Sequence, residues 1–145
     1  MTDIVDGATG ELRLSPAEVA VREMLAVPSD LLGPPMTAAE IEQRIEQIAD
    51  LLEHIATVIV LLYEDRHRAE EAFEGAFSEY CVMHEKSGAL LARQYATYKT
   101  KTERHELNIA KEKLRYAVEM QSVWQNRSYG LMNINKKFTG GMGPR

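Results

Sequence analysis

The side chains best suited to chemistry in this sequence are basic and aromatic, and they are concentrated in its C-terminal half. Lysine and arginine neutralise phosphates, and exposed aromatic rings stack on bases. The basic residues are interleaved with Tyr95, Tyr98, Tyr116, Tyr129 and Phe138. This combination favours binding of nucleic acid, preferably single-stranded. The candidate binding residues are Arg93, Lys99, Lys101, Arg104, Lys111, Lys113, Arg115, Trp124, Arg127, Lys136 and Lys137.

The distribution of charge supports two interpretations of these basic residues. The net charge of −5 divides into −12 over residues 1–87 and +7 over residues 88–145. Such asymmetry is typical of nucleic-acid contact, or of an acidic segment that pairs with a basic one. In the second case the basic side chains form ion pairs within the chain. The two interpretations carry about equal weight. The pairs would join Glu70, Glu71, Glu74 and Glu79 to Arg104, Lys101, Lys99 and Arg93.

Motifs for other chemistry are incomplete. Glu64 and His67 have the Glu-x-x-His spacing of di-iron bundles, but a second copy is missing, so we expect no metal and no cofactor. The sequence has no phosphate-binding glycine loop, no Gly-x-Ser-x-Gly elbow and no Cys-x-x-Cys pair. The single Cys81 has no local basic neighbours that would activate its thiol. We therefore expect a protein that is not an enzyme.

The N-terminal region predicts one short helix between irregular segments. Residues 1–14 contain Gly7 and Gly10 without helical periodicity, which predicts a flexible tail. Ser15 followed by Pro16 is a helix start, so a short helix is expected over residues 15–27. Residues 28–36 carry the Pro34–Pro35 pair and form a predicted linker.

A long helix is the strongest prediction of the sequence. Thr37 and Glu40 match a capping box, and the following helix is expected from Ala38 to Lys86, about 70 Å at about 1.5 Å per residue. Apolar residues recur at alternating spacings of four and three, interrupted by Arg66, which is typical of a coiled coil. We expect this seam to join copies of the chain in a homo-oligomer. The seam residues are Ile41, Ile45, Ile48, Leu52, Ile55, Ile59, Leu62, Phe73 and Tyr80.

The remaining sequence predicts that the chain turns back and runs along this long helix. Gly88 marks a stop, and the turn is expected near residues 87–99. Residues 99–106 lack apolar side chains, and Thr100 with Glu103 matches a second capping box. The predicted fold is all-α: a long antiparallel helical hairpin over residues 37–134, with coiled-coil packing. Residues 135–145 are expected to form a basic disordered tail.

Several segments of the sequence resemble those of a known group of proteins. These are Tyr63–Arg66, Glu71–Phe73, Tyr95–Ala96 and Ala117–Arg127. In their layout they resemble small helical phage and prophage proteins encoded near recombination and single-strand-annealing genes. The Thr9–Glu11 leader is similar to leaders of phage proteins, and the paired long helices are similar to those of phage nuclease inhibitors. The resemblance implies an accessory role and no catalytic motif.

The basic C-terminal half predicts binding of nucleic acid, and the resemblance implies that the chain is a non-enzymatic phage accessory protein of DNA recombination or replication. The alternatives are an interaction protein that modulates a host or phage protein, and a virion or assembly component. The longest apolar run, Ile55–Tyr63, is nine residues, far short of the roughly 20 that a bilayer span needs. We therefore expect no membrane contact and a cytoplasmic location in an infected or lysogenic bacterial host.

Overall fold

The computed structural model describes residues 14–28, 31, 33–35 and 37–140. Within that part, four α-helices and one 3-10 turn form, and no strand occurs. Their bounds are α1 (Pro16–Leu25), α2 (Ala38–Met83), the turn (Glu85–Ser87), α3 (Ala89–Lys99) and α4 (Lys101–Gly140). α2 packs against both α3 and α4, which confirms the predicted all-α helical hairpin. The predicted flexible tail, residues 1–14, lies outside the described residues except for Leu14.

Capping boxes begin both α1 and α2, whereas the sequence predicts a box for α2 and only a Ser15 cap for α1. The Ser15 hydroxyl accepts from the Glu18 amide at 3.2 Å, and the Glu18 carboxylate accepts from the Ser15 amide at 2.9 Å. Thr37 and Glu40 repeat this exchange at 3.2 and 3.3 Å. Each box satisfies amides that have no partner in the first turn of a helix. The start of each helix is therefore fixed by local sequence.

The chain reverses direction between α2 and α3 at Gly88. Its φ of 95° lies in the region that side chains disfavour, which accounts for glycine at this position. The Gly88 amide donates to the Glu85 carbonyl at 3.3 Å, and the Gly88 carbonyl accepts from Ala92 at 3.0 Å. The turn thus occupies residues 84–88, mostly before the predicted range of residues 87–99, and most of that range forms α3.

The predicted interruption of the return helix is much smaller in the structure. Only Thr100 separates α3 from α4, and it is fully buried. Its hydroxyl donates to the Ala96 carbonyl at 2.7 Å. Backbone hydrogen bonds from Thr100 to Ala96 and from Arg104 to Thr100, both 3.0 Å, continue the helical pattern. α4 begins directly after Thr100, where the sequence predicts a helix start, but the Thr100 hydroxyl does not cap it, because this hydroxyl bonds backwards along α3.

The C-terminal end of the hairpin also differs from the prediction. α4 continues to Gly140, beyond the predicted end of the hairpin at residue 134. Lys136 and Lys137 therefore lie on a helix, and the prediction of a disordered tail from residue 135 is wrong for residues 135–140. Residues 141–145 lie outside the described residues.

The apolar seam of α2 lies inside the chain. Ile41, Ile48, Ile55, Ile59 and Leu62 are each at most 9% exposed. Their neighbours in the core include residues of α1 and α4, which means that the hairpin itself uses the stripe. The assignment of these buried residues to an oligomer interface is wrong for this reason. Ile45, Leu52, Phe73 and Tyr80 are partly buried on the same stripe.

The two ends of the hairpin are packed differently. At the end that contains the start of α2, α1 and Leu31 cover the hairpin and complete a core around Trp124. Toward the turn, α2 and α3 meet through small residues such as Ala92 and Ala96 and through half-buried aromatic rings. Tyr80 and Tyr95 meet edge to face there, with centroids 6.2 Å apart.

Candidate nucleic-acid interface

The basic residues of α3 and α4 lie mostly on the surface of the hairpin. Lys113 is half-buried in a groove between α2 and α4, close to Asp65 and Glu106. Lys136 has an interaction partner. The exposed members of the predicted set are Arg93, Lys99, Lys101, Arg104, Lys111, Arg115, Arg127, Lys136 and Lys137.

Four of these residues share one face of α4, and we call them the basic stripe: Lys101, Arg104, Lys111 and Arg115. Their spacings of three, seven and four residues place them along one side of a helix. They span fourteen residue steps, about 21 Å at about 1.5 Å per step. This is about the axial length of six nucleotides in one strand of duplex DNA, at about 3.4 Å each. The stripe is therefore long enough to contact several phosphates.

Aromatic rings lie beside several of the basic side chains. Lys101 Nζ lies 4.9 Å from the centroid of the Tyr98 ring, and Lys99 Nζ lies 5.5 Å from that of Tyr95. Tyr98 is 64% exposed, whereas Tyr95 is half-buried. A cation beside an exposed ring combines a phosphate contact with a surface on which a base can stack. The Tyr98–Lys101 pair has this arrangement.

The predicted ion pairs across the hairpin do not form. In the described part of the chain, no ion pair joins Glu70, Glu71, Glu74 or Glu79 to Arg93, Lys99, Lys101 or Arg104. Glu71 instead lies 3.5 Å from His67 on its own helix. Within the basic stripe, Arg115 pairs with Glu119 at 2.8 Å, again on one helix. The positive charge near the turn is thus exposed and without direct carboxylate partners.

One predicted binding residue is in the wrong place for its role. Trp124 is only 2% exposed, and its indole forms part of the core. A buried ring cannot stack on a base, so its assignment to nucleic-acid binding is wrong. Trp124 also continues an apolar stripe at alternating four- and three-residue spacing along α4, and that spacing predicts a core position: Leu107, Ala110, Leu114, Ala117, Gln121 and Trp124.

Tyr116 is a second aromatic residue that burial removes from this surface. It is 9% exposed. Burial raises the pKa of its hydroxyl above the ordinary value of 10.0, and Glu18 and Glu119 add to that rise, while Arg22 opposes it. The effects of Glu18 and Arg22 show that α1 lies near this part of α4, a relationship that the sequence gives no signal for.

The described residues hold no group of three or more His, Cys, Asp or Glu arranged to bind a metal ion. Across the same part of the chain, no helix combines the length and apolar character that crossing a bilayer requires. Comparison of the chain with family models, with curated proteins and with solved structures gave no match.

Proposed function

We propose that this protein binds nucleic acid through the basic stripe and Tyr98, as a non-enzymatic accessory protein of phage DNA recombination or replication. The observation that carries the proposal is the absence of hairpin ion pairs between the described acidic residues Glu70–Glu79 and the basic residues of α3 and α4. Lys101, Arg104 and Lys111 have no carboxylate partner on the described residues and are available to phosphates, whereas Arg115 would exchange Glu119 for a phosphate. The phage context rests on the resemblance of sequence layout alone.

Salt dependence is the first test of this proposal. Fluorescence anisotropy of labelled single- and double-stranded DNA is measured at about 50 and 200 mM salt. If all four stripe residues neutralise phosphates, affinity should fall about 50-fold for a single strand and about 150-fold for a duplex. Absence of binding at the lower salt concentration would refute the proposal.

Charge reversal tests whether the stripe is the binding surface. Lys101→Glu with Lys111→Glu should abolish most binding, because two attractive contacts become repulsive. The matched control is Arg68→Glu with Lys86→Glu, which changes the net charge equally at exposed residues outside the stripe. Equal losses in both variants would mean that net charge, and not the stripe, governs affinity.

An interaction with another protein is the second candidate function, and exposed apolar residues at the turn favour it. We call Val82, Met83, Leu90 and Leu91 the apolar tip; they are 70, 65, 71 and 58% exposed. A group of large exposed apolar side chains is typical of an interaction surface. Leu90→Ser with Leu91→Ser should leave DNA affinity unchanged under the first proposal. If the protein does not bind DNA, and if these changes abolish its binding to a purified partner, the second function is correct.

A further inference from the structure

A cavity between α1 and α4 combines an apolar wall with two cations. Its volume is about 290 Å³, close to the lower end of the range for small-molecule sites. The apolar lining includes Leu25, Met120, Val123 and Trp124, and the charged residues are Arg22 and Arg127. Leu25 and Trp124 are almost fully buried, whereas both arginines are exposed. The arginine side chains therefore lie where the cavity meets solvent.

The two arginines of this cavity, Arg22 and Arg127, form no ion pair with the described residues. The nearby carboxylates are engaged elsewhere, because Glu18 accepts from the Ser15 amide and Glu119 pairs with Arg115. Arginine forks match the geometry of carboxylate and phosphate groups. An anionic group is thus the complement that the cavity lacks.

Trp124 combines an unpaired donor in the core with a contact to one of the two arginines. Its indole nitrogen is buried and has no hydrogen-bond acceptor. An indole N–H can only donate, and leaving such a donor buried without an acceptor is costly. The guanidinium carbon of Arg127 lies 4.7 Å from the centroid of the Trp124 ring, so this arginine is held against the face of the indole at the cavity. This contact holds one cation beside the apolar wall, where it can meet the anionic group of a bound molecule.

We infer that this cavity binds a small organic anion, with its apolar body against Leu25, Met120 and Trp124 and its charged group between Arg22 and Arg127. The small volume favours a short-chain or single-ring acid over a larger cofactor. This site is separate from the basic stripe, so its function does not depend on nucleic-acid binding.

Trp124 also makes the site directly measurable, since it is the only tryptophan in the chain. The probe is sodium octanoate, and octan-1-ol at the same concentrations is its uncharged counterpart. Octanoate should shift or quench the emission of Trp124 in a saturable way, with a dissociation constant of about 1 mM or below for a ligand of this size. Octan-1-ol should bind at least tenfold more weakly.

Three variants locate the binding site, with calorimetry as a second readout because Arg127 itself touches the fluorophore. Arg22→Gln and Arg127→Gln should each weaken octanoate binding about tenfold or more. Arg68→Gln removes an exposed arginine on α2 and should leave the affinity unchanged. Circular dichroism verifies that each variant remains helical.

Several outcomes would overturn the inference. One is the absence of saturable octanoate binding to the unmodified protein by both readouts. Equal affinity for octanoate and octan-1-ol would show that the anionic group is not recognised. Unchanged binding in both cavity variants would place the ligand elsewhere. Since Lys101→Glu with Lys111→Glu should not affect octanoate, failure of this inference and failure of the nucleic-acid proposal are distinguishable.

Discussion

Arg104 of α4 lies over the ring of Phe73 of α2, with its guanidinium carbon 5.4 Å from the ring centroid. This contact joins a member of the basic stripe to the apolar seam of the other long helix. It gives the side chain a partner across the hairpin that does not neutralise its charge. A cation held against a ring remains able to contact a phosphate, which a cation paired with a carboxylate does less well.

Replacing Phe73 with leucine should separate the contribution of its aromatic ring from that of its apolar bulk. Phe73→Leu keeps an apolar side chain but removes the ring, and we expect the free energy of unfolding to fall by about 1 kcal/mol, which urea denaturation measures. A double-mutant cycle with Arg104→Gln isolates the coupling between the two residues. Strictly additive effects of the two changes would show that the cation–ring contact contributes nothing to stability.

Two glycines of the hairpin should respond in opposite ways to alanine. Gly88→Ala should destabilise the protein by about 1–3 kcal/mol, because the φ of 95° disfavours any side chain although the space around it is open. Gly75 lies within α2 with equally open surroundings, and Gly75→Ala should stabilise by about 0.5–1 kcal/mol. Thermal unfolding of the two variants checks this. A Gly88→Ala protein as stable as the parent would show that the turn adopts another conformation.

The helices could be predicted from the sequence because their signals are local. Ser15, Thr37 and Gly88 each act within a few residues, so the starts of α1 and α2 and the turn follow from neighbouring positions. The role of the seam could not be predicted in the same way. An apolar stripe such as that of Ile48 and Ile55 indicates that a second helix packs against it. It does not indicate whether that helix belongs to the same chain.

For the candidate sites, too, the sequence predicts local features but not contacts between distant residues. The exposure of Lys101 and Lys111 agrees with the sequence pattern, because both residues lie outside the apolar stripe of α4 that runs from Leu107 to Trp124. The proximity of Arg22 to Arg127 had no signal, because these residues are 105 positions apart and meet only when α1 packs on α4. The sequence predicts the start of α4 after Thr100 but not the bonding of the Thr100 hydroxyl, which donates backwards to Ala96 and does not cap α4.

The pKa of Tyr116 predicts a decline of stability at alkaline pH. Because burial raises this pKa in the folded protein, the unfolded chain loses the proton first, near pH 10. The folded state then holds more protons than the unfolded state, so the free energy of unfolding should fall as the pH rises through about 10. Urea denaturation between pH 8 and 11 measures this fall, which should be smaller in Tyr116→Phe. An identical pH dependence in the variant would assign the effect to other groups.

Ile55 and Val60 provide a matched pair for testing which face of α2 packs in the core of the chain. Ile55 is completely buried, whereas Val60 is 57% exposed. Ile55→Ala should reduce the free energy of unfolding by about 2–5 kcal/mol, because it leaves a cavity in the core. Val60→Ala should change it by less than about 0.5 kcal/mol.

Measuring the mass of the folded protein in solution completes this test, because self-association of the chain remains a prediction. Sedimentation equilibrium of the unmodified protein gives its state of association, and the same measurement follows Ile55→Ala and Val60→Asp. If copies associate, an exposed face must join them, and Val60→Asp should weaken that assembly if the face includes this side of α2. Ile55→Ala should lower stability without changing the mass of the molecules that remain folded. Folded monomers produced by Ile55→Ala from a parent oligomer would restore the seam as an interface between copies and would contradict its place in the core of one chain.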